Sequence, residues 1–353
     1  MHTFLFFLPL LLFFALFAVY SERKISAFIQ SRYGPMEVGP MGIFQTVADL
    51  LKMLQKEDLI PKAADRPIFL IGPILVFVAI FAGFSVLPLT SETAGAAVGS
   101  GVFLLLAIVS LDVLGILMAG WGSNNKFSLF GAIRSIAQII SFEIPLGLSV
   151  LCVVILSQSM DLQEISRQQG VYSETPIYLF GIRSSGVSVT DLGGILSWNV
   201  VRSPFLIVGF LIFFISGLAE SNRAPFDLPE SESELVGGYH TEYSGFRWGI
   251  FMLAEYGMML LMSILGVILF FGGWNTPLIN VGTLRFADWT MGVYWEGFWL
   301  MAKALMLVFI QIWIRWTYPR LRVDQLMSLS WKYLTPFALL LVFLSAIWRL
   351  LMF

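Results

Sequence analysis

An acidic stretch between two long apolar segments decides how this chain is organised. It reads Ala219-Glu-Ser-Asn-Arg-Ala-Pro-Phe-Asp-Leu-Pro-Glu-Ser-Glu-Ser-Glu-Leu-Val-Gly-Gly-Tyr-His-Thr-Glu-Tyr-Ser-Gly-Phe-Arg-Trp248. Its carboxylates are Glu220, Asp227, Glu230, Glu232, Glu234 and Glu242. Acidic side chains are costly near hydrocarbon, and those retained there often relay protons or bind ions.

The rest of the chain is predominantly apolar. Of its 353 residues, 58% are hydrophobic and 12% are charged, which is typical of a multi-span membrane protein and not of a soluble domain. We predict an all-α integral membrane protein with about eight transmembrane helices, an interfacial amphipathic helix and structured cytoplasmic loops, within one polytopic domain at 1–353. Segments near the ~20 residues that a spanning helix needs lie at 3–21, 67–89, 100–119, 135–157, 200–218, 248–271, 297–317 and 334–352.

Basic residues orient these segments. The loop 21–66 and the alternate loops after it, together with Arg315 at the adjoining end of the seventh span, contain 15 of the 21 lysines and arginines. Because basic residues concentrate on the cytoplasmic side, we predict that both termini lie outside and that the acidic loop 219–247 lies in the cytoplasm. The polar loop 158–202 then lies on the outer side, and we assign no function to it.

The sequence has few residues that could hold a redox centre. Its only cysteine is Cys152, and its two histidines, His2 and His240, are predicted on opposite sides. A cysteine-ligated iron–sulfur cluster or a bis-histidine haem within this chain is therefore not expected, and we predict no metal site. Any electrons must arrive from another subunit.

The loop 21–66 contains a short amphipathic segment. Its apolar side chains share one helical stripe, namely Ile43, Phe44, Val47, Leu50, Leu51 and Leu54. Such a helix is expected to lie along the membrane surface. Two interpretations stay open: the helix seals the bundle, or it borders a mouth through which a membrane-dissolved amphiphile enters. The Gly34-Pro35 and Gly39-Pro40 pairs favour a bent, rigid path beside it.

Four ionisable residues fall inside apolar spans, namely Asp112, Glu143, Glu255 and Lys303. Each costs roughly 2.5–3.5 kcal/mol at a helix centre unless it is paired or hydrated. Glu143 precedes Pro145, which should free a backbone carbonyl and bend the helix. Glu143 either forms an ion pair, for example with Lys303, or relays protons. For Asp112 and Glu255 we favour a structural role.

The acidic stretch also has a structural interpretation. Asp227-Leu-Pro-Glu230 fits a capping box with Asp227 as N-cap. If the helix continues, Glu230 and Glu234 share a face with Asp227, whereas Glu232 points away. The apolar neighbours favour partial burial, and buried carboxylates close together have raised, coupled pKa values.

Motifs along most of the chain resemble one family. The strongest is Asn222-Arg-Ala-Pro-Phe-Asp227 followed by Glu234-Leu-Val and His240-Thr-Glu-Tyr243. Weaker matches are Glu22-Arg-Lys24, Val38-Gly-Pro40, Ala48-Asp49, Lys56-Glu-Asp58, Gly120-Trp-Gly-Ser-Asn-Asn-Lys-Phe-Ser128, Gly131-Ala-Ile-Arg134, Glu143-Ile-Pro145, Trp313-Ile-Arg315, Pro319-Arg-Leu-Arg322 and Asp324-Gln-Leu-Met327. The chain resembles the H-subunit family of proton-pumping NADH:quinone oxidoreductase, respiratory complex I. Met36 and Glu37 depart from the family pattern.

The resemblance implies an enzyme subunit without a redox centre of its own, which helps to form a quinone chamber and couples quinone reduction to proton translocation. Residues implied at the quinone site and its entrance are Glu22, Arg23, Arg32, Asp49, Arg223 and Arg315. Residues implied in the proton path are Glu143, Glu220, Asp227, Glu230, Glu232, Glu234 and Glu242, with Lys303 as a positive element beside it.

The resemblance also implies a setting. Quinone would be the substrate, and flavin and iron–sulfur clusters would reside in partner subunits. Expected partners are peripheral-arm, small membrane and antiporter-like subunits and membrane lipids, with no nucleic acid, in a bacterial plasma (inner) membrane. The alternatives are the homologous subunit of a membrane-bound hydrogenase or ferredoxin-linked complex, a stand-alone ion carrier, and a passive anchor for soluble subunits.

Overall fold

The computed structural model describes residues 2–93, 98–171, 173, 178, 180, 182, 189, 192–228, 235–280, 285–290 and 292–352, with side chains from 7 to 351. Within these ranges the regular elements are helices. In chain order they are α1 His2–Ile29, α2 Gln45–Gln55, α3 Arg66–Phe84, α4 Gly101–Val109, α5 Asp112–Gly122, α6 Lys126–Ser157, α7 Leu162–Gln168, α8 Asn199–Arg202, α9 Pro204–Glu220, α10 Gly245–Phe270, α11 Phe286–Trp289, α12 Val293–Thr317, α13 Val323–Ser328 and α14 Thr335–Met352. A π-helical turn, Leu329–Leu334, joins α13 to α14.

Six helical segments among the described residues are long and apolar enough to cross a membrane. They are Arg66–Phe84, Gly101–Gly122, Lys126–Ser157, Gly245–Phe270, Val293–Thr317 and Val323–Leu351. The all-helical, multi-span prediction is therefore confirmed. Of the other two predicted spans, the first lies in α1 and the fifth coincides with the shorter apolar helix Pro204–Glu220. A total of about eight spans stays a prediction.

Helix α10 forms the centre of the molecule. Every residue from Ala254 to Phe270 is buried, as expected for a helix that is apolar on all sides. Helices α1, α3, α9 and α12 pack around it. Glu255 and Tyr256 are polar exceptions on this helix, so the charge on Glu255 must find its partners inside the bundle.

Helices α3 and α5 approach each other closely. A Cβ atom on Gly115 would lie 2.5 Å from the Val76 side chain, and one on Gly72 would lie 2.9 Å from the backbone of Ala119. Small residues at such contacts let membrane helices pack backbone to backbone. The span that contains α5 is interrupted after α4, so that Asp112 stands at the first turn of α5 inside the apolar segment.

The amphipathic segment forms a helix, but it begins at Gln45, after two of the six apolar residues. Its apolar side chains Val47, Leu51 and Leu54 are exposed on the surface of this chain. The approach to α2 is bent, because Gly34 and Gly39 both adopt positive φ angles of 61° and 75°, which side chains with a Cβ disfavour.

The loop 158–202 is only partly described, because most of the residues from 172 to 191 lie outside the described residues. Its described part is anchored by the buried Gln169. The side-chain oxygen of Gln169 accepts hydrogen bonds from the backbone N–H groups of Asn199 and Gly272, both at 3.0 Å. The side-chain nitrogen donates to the carbonyl of Ile268 at 3.0 Å. This loop therefore closes the end of α10.

Candidate functional site

A cluster of charged side chains lies where α1, α9 and α12 end and α10 begins, which we term the acidic end of the bundle. At its centre is Glu22 of α1, only 7% exposed. Its carboxylate accepts hydrogen bonds from Arg223 at 3.3 Å, Arg315 at 2.5 Å and Tyr256 at 2.6 Å. We call these four residues the Glu22 cluster. A buried carboxylate is tolerable here because it is paired and hydrogen-bonded.

Arg223 connects this cluster to a second carboxylate. Its other terminal nitrogen lies 4.0 Å from Glu255, and its guanidinium lies over the Tyr256 ring, 4.0 Å from the centroid. On its far side, Glu255 is 3.7 Å from Nε2 of His240. Burial lowers the pKa of His240 to about 3, which favours the neutral imidazole at this contact.

Behind Glu255 lies a small cavity. Its polar lining includes Asp112 from α5, Glu220 from α9 and Glu255 from α10, and its apolar lining includes Val76 and Ile80. The cavity has a volume of about 10 Å³, which is close to the space that one water molecule needs. Three buried carboxylates around one such space can exchange protons through a bridging water. The structure therefore brings Asp112 and Glu255, to which we assigned structural roles, together with Glu220.

Glu143 interacts electrostatically with Glu220, which lines the cavity, and lies half-buried on α6. The Glu220 carboxylate is within electrostatic range of both Glu143 and Asp112. The suggested ion pair between Glu143 and Lys303 is wrong, because Lys303 donates instead to the carbonyls of Phe271 and Asn275, both at 2.8 Å. These carbonyls follow the far end of α10, so the structure does not bring Lys303 to the acidic end.

The loop after α9 is held at this end by polar contacts. Asn222 accepts hydrogen bonds from Ser135 at 3.3 Å and Gln138 at 3.2 Å, both on α6. Buried Asp227 pairs with Arg320 at 3.2 Å, and Glu242 accepts a bond from Asn125 at 2.6 Å. Three of the predicted path residues lie outside the described residues, namely Glu230, Glu232 and Glu234, as does the predicted capping box beyond Leu228.

Aromatic contacts fix the end of the same loop. The Tyr243 ring stacks on Phe69 with centroids 4.1 Å apart, and its hydroxyl donates to the Phe69 carbonyl at 3.0 Å. Burial raises the pKa of Tyr243, so this hydroxyl stays protonated and keeps its donor role. The loop is thereby attached to α3.

The predicted entrance residues separate into different places. Arg23 pairs with Asp49 at 2.6 Å, which joins α1 to α2. Arg32 is exposed and donates to the nearby Gln30 at 2.7 Å. Arg315 belongs to the Glu22 cluster. The structure therefore brings Glu22, Arg223 and Arg315 together and leaves Arg32 apart from them.

Several residues of this network were not predicted as site residues from the sequence, namely Asp112, His240, Glu255, Tyr256 and Arg320, although Asp112 and Glu255 were identified as ionisable residues within spans. The adjacent Glu255 and Tyr256, in an otherwise apolar span, were the sequence feature that could have indicated this network. The residues that they contact could not be deduced from spacing along the sequence. In the described part of the chain, no group of three or more His, Cys, Asp or Glu side chains is arranged to hold a metal ion.

Comparison with known proteins identifies the family of this chain. The family model described as NADH dehydrogenase matches residues 1–346. A Cytophaga hutchinsonii protein, named as an NADH-quinone oxidoreductase H subunit, number 2, is 56% identical over 99% of this chain and 98% of its own length. NADH-quinone oxidoreductase H subunits from Chlorobium luteolum and Bacillus cytotoxicus are 50% and 44% identical, each over 96% of this chain and over 87% and 91% of their own lengths. These end-to-end matches show that this chain belongs to the NADH dehydrogenase family.

Proposed function

We propose that this chain is the membrane subunit of a proton-pumping NADH:quinone oxidoreductase that forms part of the quinone chamber and passes the effect of quinone reduction into an acidic path. One observation carries the proposal. Ionisable side chains, all of them buried or partly buried, follow one another from the Glu22 cluster through Glu255 and the cavity to Glu143. Such residues inside a membrane protein are expensive and characteristically mark proton paths.

Arg223 is the element through which the two ends of this path communicate. It contacts Glu22 and Glu255 at once, so a change of charge near Glu22 alters how strongly Arg223 attracts Glu255. Reduction of quinone to quinol consumes protons, and a carboxylate that loses or gains a positive partner changes its proton affinity. The change then reaches Asp112 and Glu220 across the cavity, and Glu143 beyond it.

The remaining assignments follow from the same proposal. The loop 21–66, with Arg23, Asp49 and the exposed face of α2, lies at the entrance for quinone, and the loop 219–247 faces the cytoplasm. Flavin and iron–sulfur clusters reside in partner subunits of the peripheral arm, and antiporter-like subunits continue the path. Both termini lie outside a bacterial plasma membrane, and residues 1–353 act as one membrane domain.

The decisive experiment is purification of the tagged chain in mild detergent, followed by an assay of NADH-driven quinone reduction. Co-purifying flavin and iron–sulfur absorbance, with activity that a quinone-site inhibitor abolishes, would support the proposal. Iron–sulfur subunits that accept electrons only from ferredoxin or hydrogen would contradict it and favour the related hydrogenase-type complexes. Transport by the chain alone, without other subunits, would also contradict it.

A further inference from the structure

One backbone carbonyl in α6 has lost its partner within the helix. Pro145 has no N–H group, so the carbonyl four residues earlier, that of Ser141, receives no helical hydrogen bond. Helix α6 nevertheless continues from Lys126 to Ser157. A side chain from another element supplies the missing donor, because the hydroxyl of Ser330 donates to the Ser141 carbonyl at 2.5 Å. Ser330 is completely buried.

The donor comes from the π-helical turn Leu329–Leu334. Single π turns within helices often occur at functional sites. Trp331, the next residue of the turn, donates its ring N–H to the Ser141 hydroxyl at 3.3 Å, and that hydroxyl donates to the carbonyl of Ala137 at 2.6 Å. Thr335 donates to the carbonyl of Ser330 at 2.9 Å. The π turn and the proline site of α6 therefore form one hydrogen-bonded unit.

This unit adjoins a residue of the acidic path. Glu143 lies between Ser141 and Pro145 in the sequence, on the part of α6 whose backbone the Ser330 hydroxyl completes. We propose that Ser330 is a positioning residue for Glu143, which replaces the helical hydrogen bond that Pro145 removes. The proposal rests on the proposed function, in which Glu143 belongs to the path. A carbonyl left without a donor in this buried place would loosen the backbone that carries Glu143.

The test is a cycle of variants in the assembled complex: the parent chain, Ser330→Ala, Pro145→Ala, and both changes together. The Pro145→Ala change restores the backbone N–H that proline lacks, so the Ser141 carbonyl regains a helical donor. In the parent chain, Ser330→Ala should therefore speed amide exchange in this part of α6 and lower the ratio of protons pumped to quinone reduced. In the Pro145→Ala background, the same change should alter both quantities little. Ser149→Ala is the matched control, because Ser149 is also fully buried on α6 but its hydroxyl donates only to the carbonyl of Leu146, within its own turn.

Two readouts are needed. Amide hydrogen exchange over residues 137–147 reports the backbone, and we expect it to become about tenfold faster in Ser330→Ala, as for the loss of one buried hydrogen bond. The ratio of protons pumped to quinone reduced reports the position of Glu143. We expect this ratio to fall in Ser330→Ala and not in Ser149→Ala, whereas loss of quinone reduction and pumping in equal proportion would indicate general structural damage and overturn the proposal.

The cycle also separates this proposal from the proposed function. Equal effects of Ser330→Ala in the parent and Pro145→Ala backgrounds would overturn the positioning role even if Glu143→Gln abolishes pumping. Normal pumping by Glu143→Gln would remove Glu143 from the path and overturn both. If Ser330→Ala alone does not assemble, recovery of assembly in the double variant supports the proposal, and continued failure overturns it.

Discussion

At the scale of single residues, the acidic end depends on one guanidinium that serves two carboxylates. Arg223 is 5% exposed and contacts both Glu22 and Glu255. Charges this deeply buried contribute through their pairing, and removal of one partner leaves the others uncompensated. Arg315 also pairs with Glu22. Loss of Arg223 should therefore destabilise a charge on Glu255 more than the charge on Glu22.

Arg223→Met should therefore destabilise the assembled complex by about 3–5 kcal/mol and abolish the link between quinone reduction and pumping. Thermal unfolding of the complex and the pumping ratio measure the two effects. Arg285→Met is the control, since Arg285 forms an exposed pair with Asp288 at 3.7 Å, and such surface pairs contribute about 0–1 kcal/mol. Equal losses in the two variants would contradict the central role of Arg223.

His240 makes a prediction about pH. Burial lowers its pKa from 6.5 to about 3, so between these values the unfolded chain binds a proton that the folded chain does not. Stability is therefore complete above pH 6.5 and falls as the pH decreases toward 3. His240→Gln should flatten this part of the profile when thermal unfolding is followed against pH. An unchanged slope would show that His240 is protonated in the folded protein.

At the scale of elements, α2 is a helix whose apolar side is exposed on the surface of this chain. Its polar side is tied to α1 through Asp49 and Arg23, whereas Leu51 and Leu54 are 53% and 55% exposed. An apolar stripe of this kind suits the boundary between lipid head groups and acyl chains. The structure thus supports a surface helix, and a functional measurement must decide whether it only seals the bundle or also borders the entrance.

Leu51→Glu tests this choice, with Lys52→Glu as the control, because Lys52 lies on the polar side of the same helix and its side chain is 74% exposed. If α2 borders the entrance, Leu51→Glu should raise the KM for long-tailed quinones by several-fold and change the KM for short-tailed quinones much less, because only long tails must pass the lipid boundary. Equal changes for both classes would indicate a sealing role alone.

At the scale of the whole molecule, the charged network and the loop 158–202 lie at opposite ends of α10. The loop near Gln169 closes the end that contains Lys303, and the Glu22 cluster occupies the other. From the distribution of lysines and arginines we predict that the acidic end lies in the cytoplasm, which would give the protein a direction relative to the membrane.

This orientation can be measured by cysteine labelling. The single native Cys152 is buried, so Cys152→Ala provides a background for two reporters. We expect Glu57→Cys, in the loop 21–66, to react with a membrane-impermeant thiol reagent only from the cytoplasmic side. Tyr294→Cys, in the first turn of α12 at a site that is 96% exposed, should react only from outside. The reverse pattern would invert the proposed topology.

The sequence by itself determined the class of the protein, its long apolar helices and the residues that had to be explained. Composition and periodicity are local properties, so they revealed the spans, the amphipathic α2 and the carbonyl that Pro145 frees. Only the tertiary structure decided the partners. Glu22 meets Arg223 and Arg315 across most of the chain, Lys303 binds carbonyls and not Glu143, and Asp112 and Glu255 share a cavity with Glu220. The physical reason is that a charged side chain within a membrane bundle pairs with the polar groups that the packing of the helices brings close to it. The distance between two such groups cannot be deduced from their spacing along the chain.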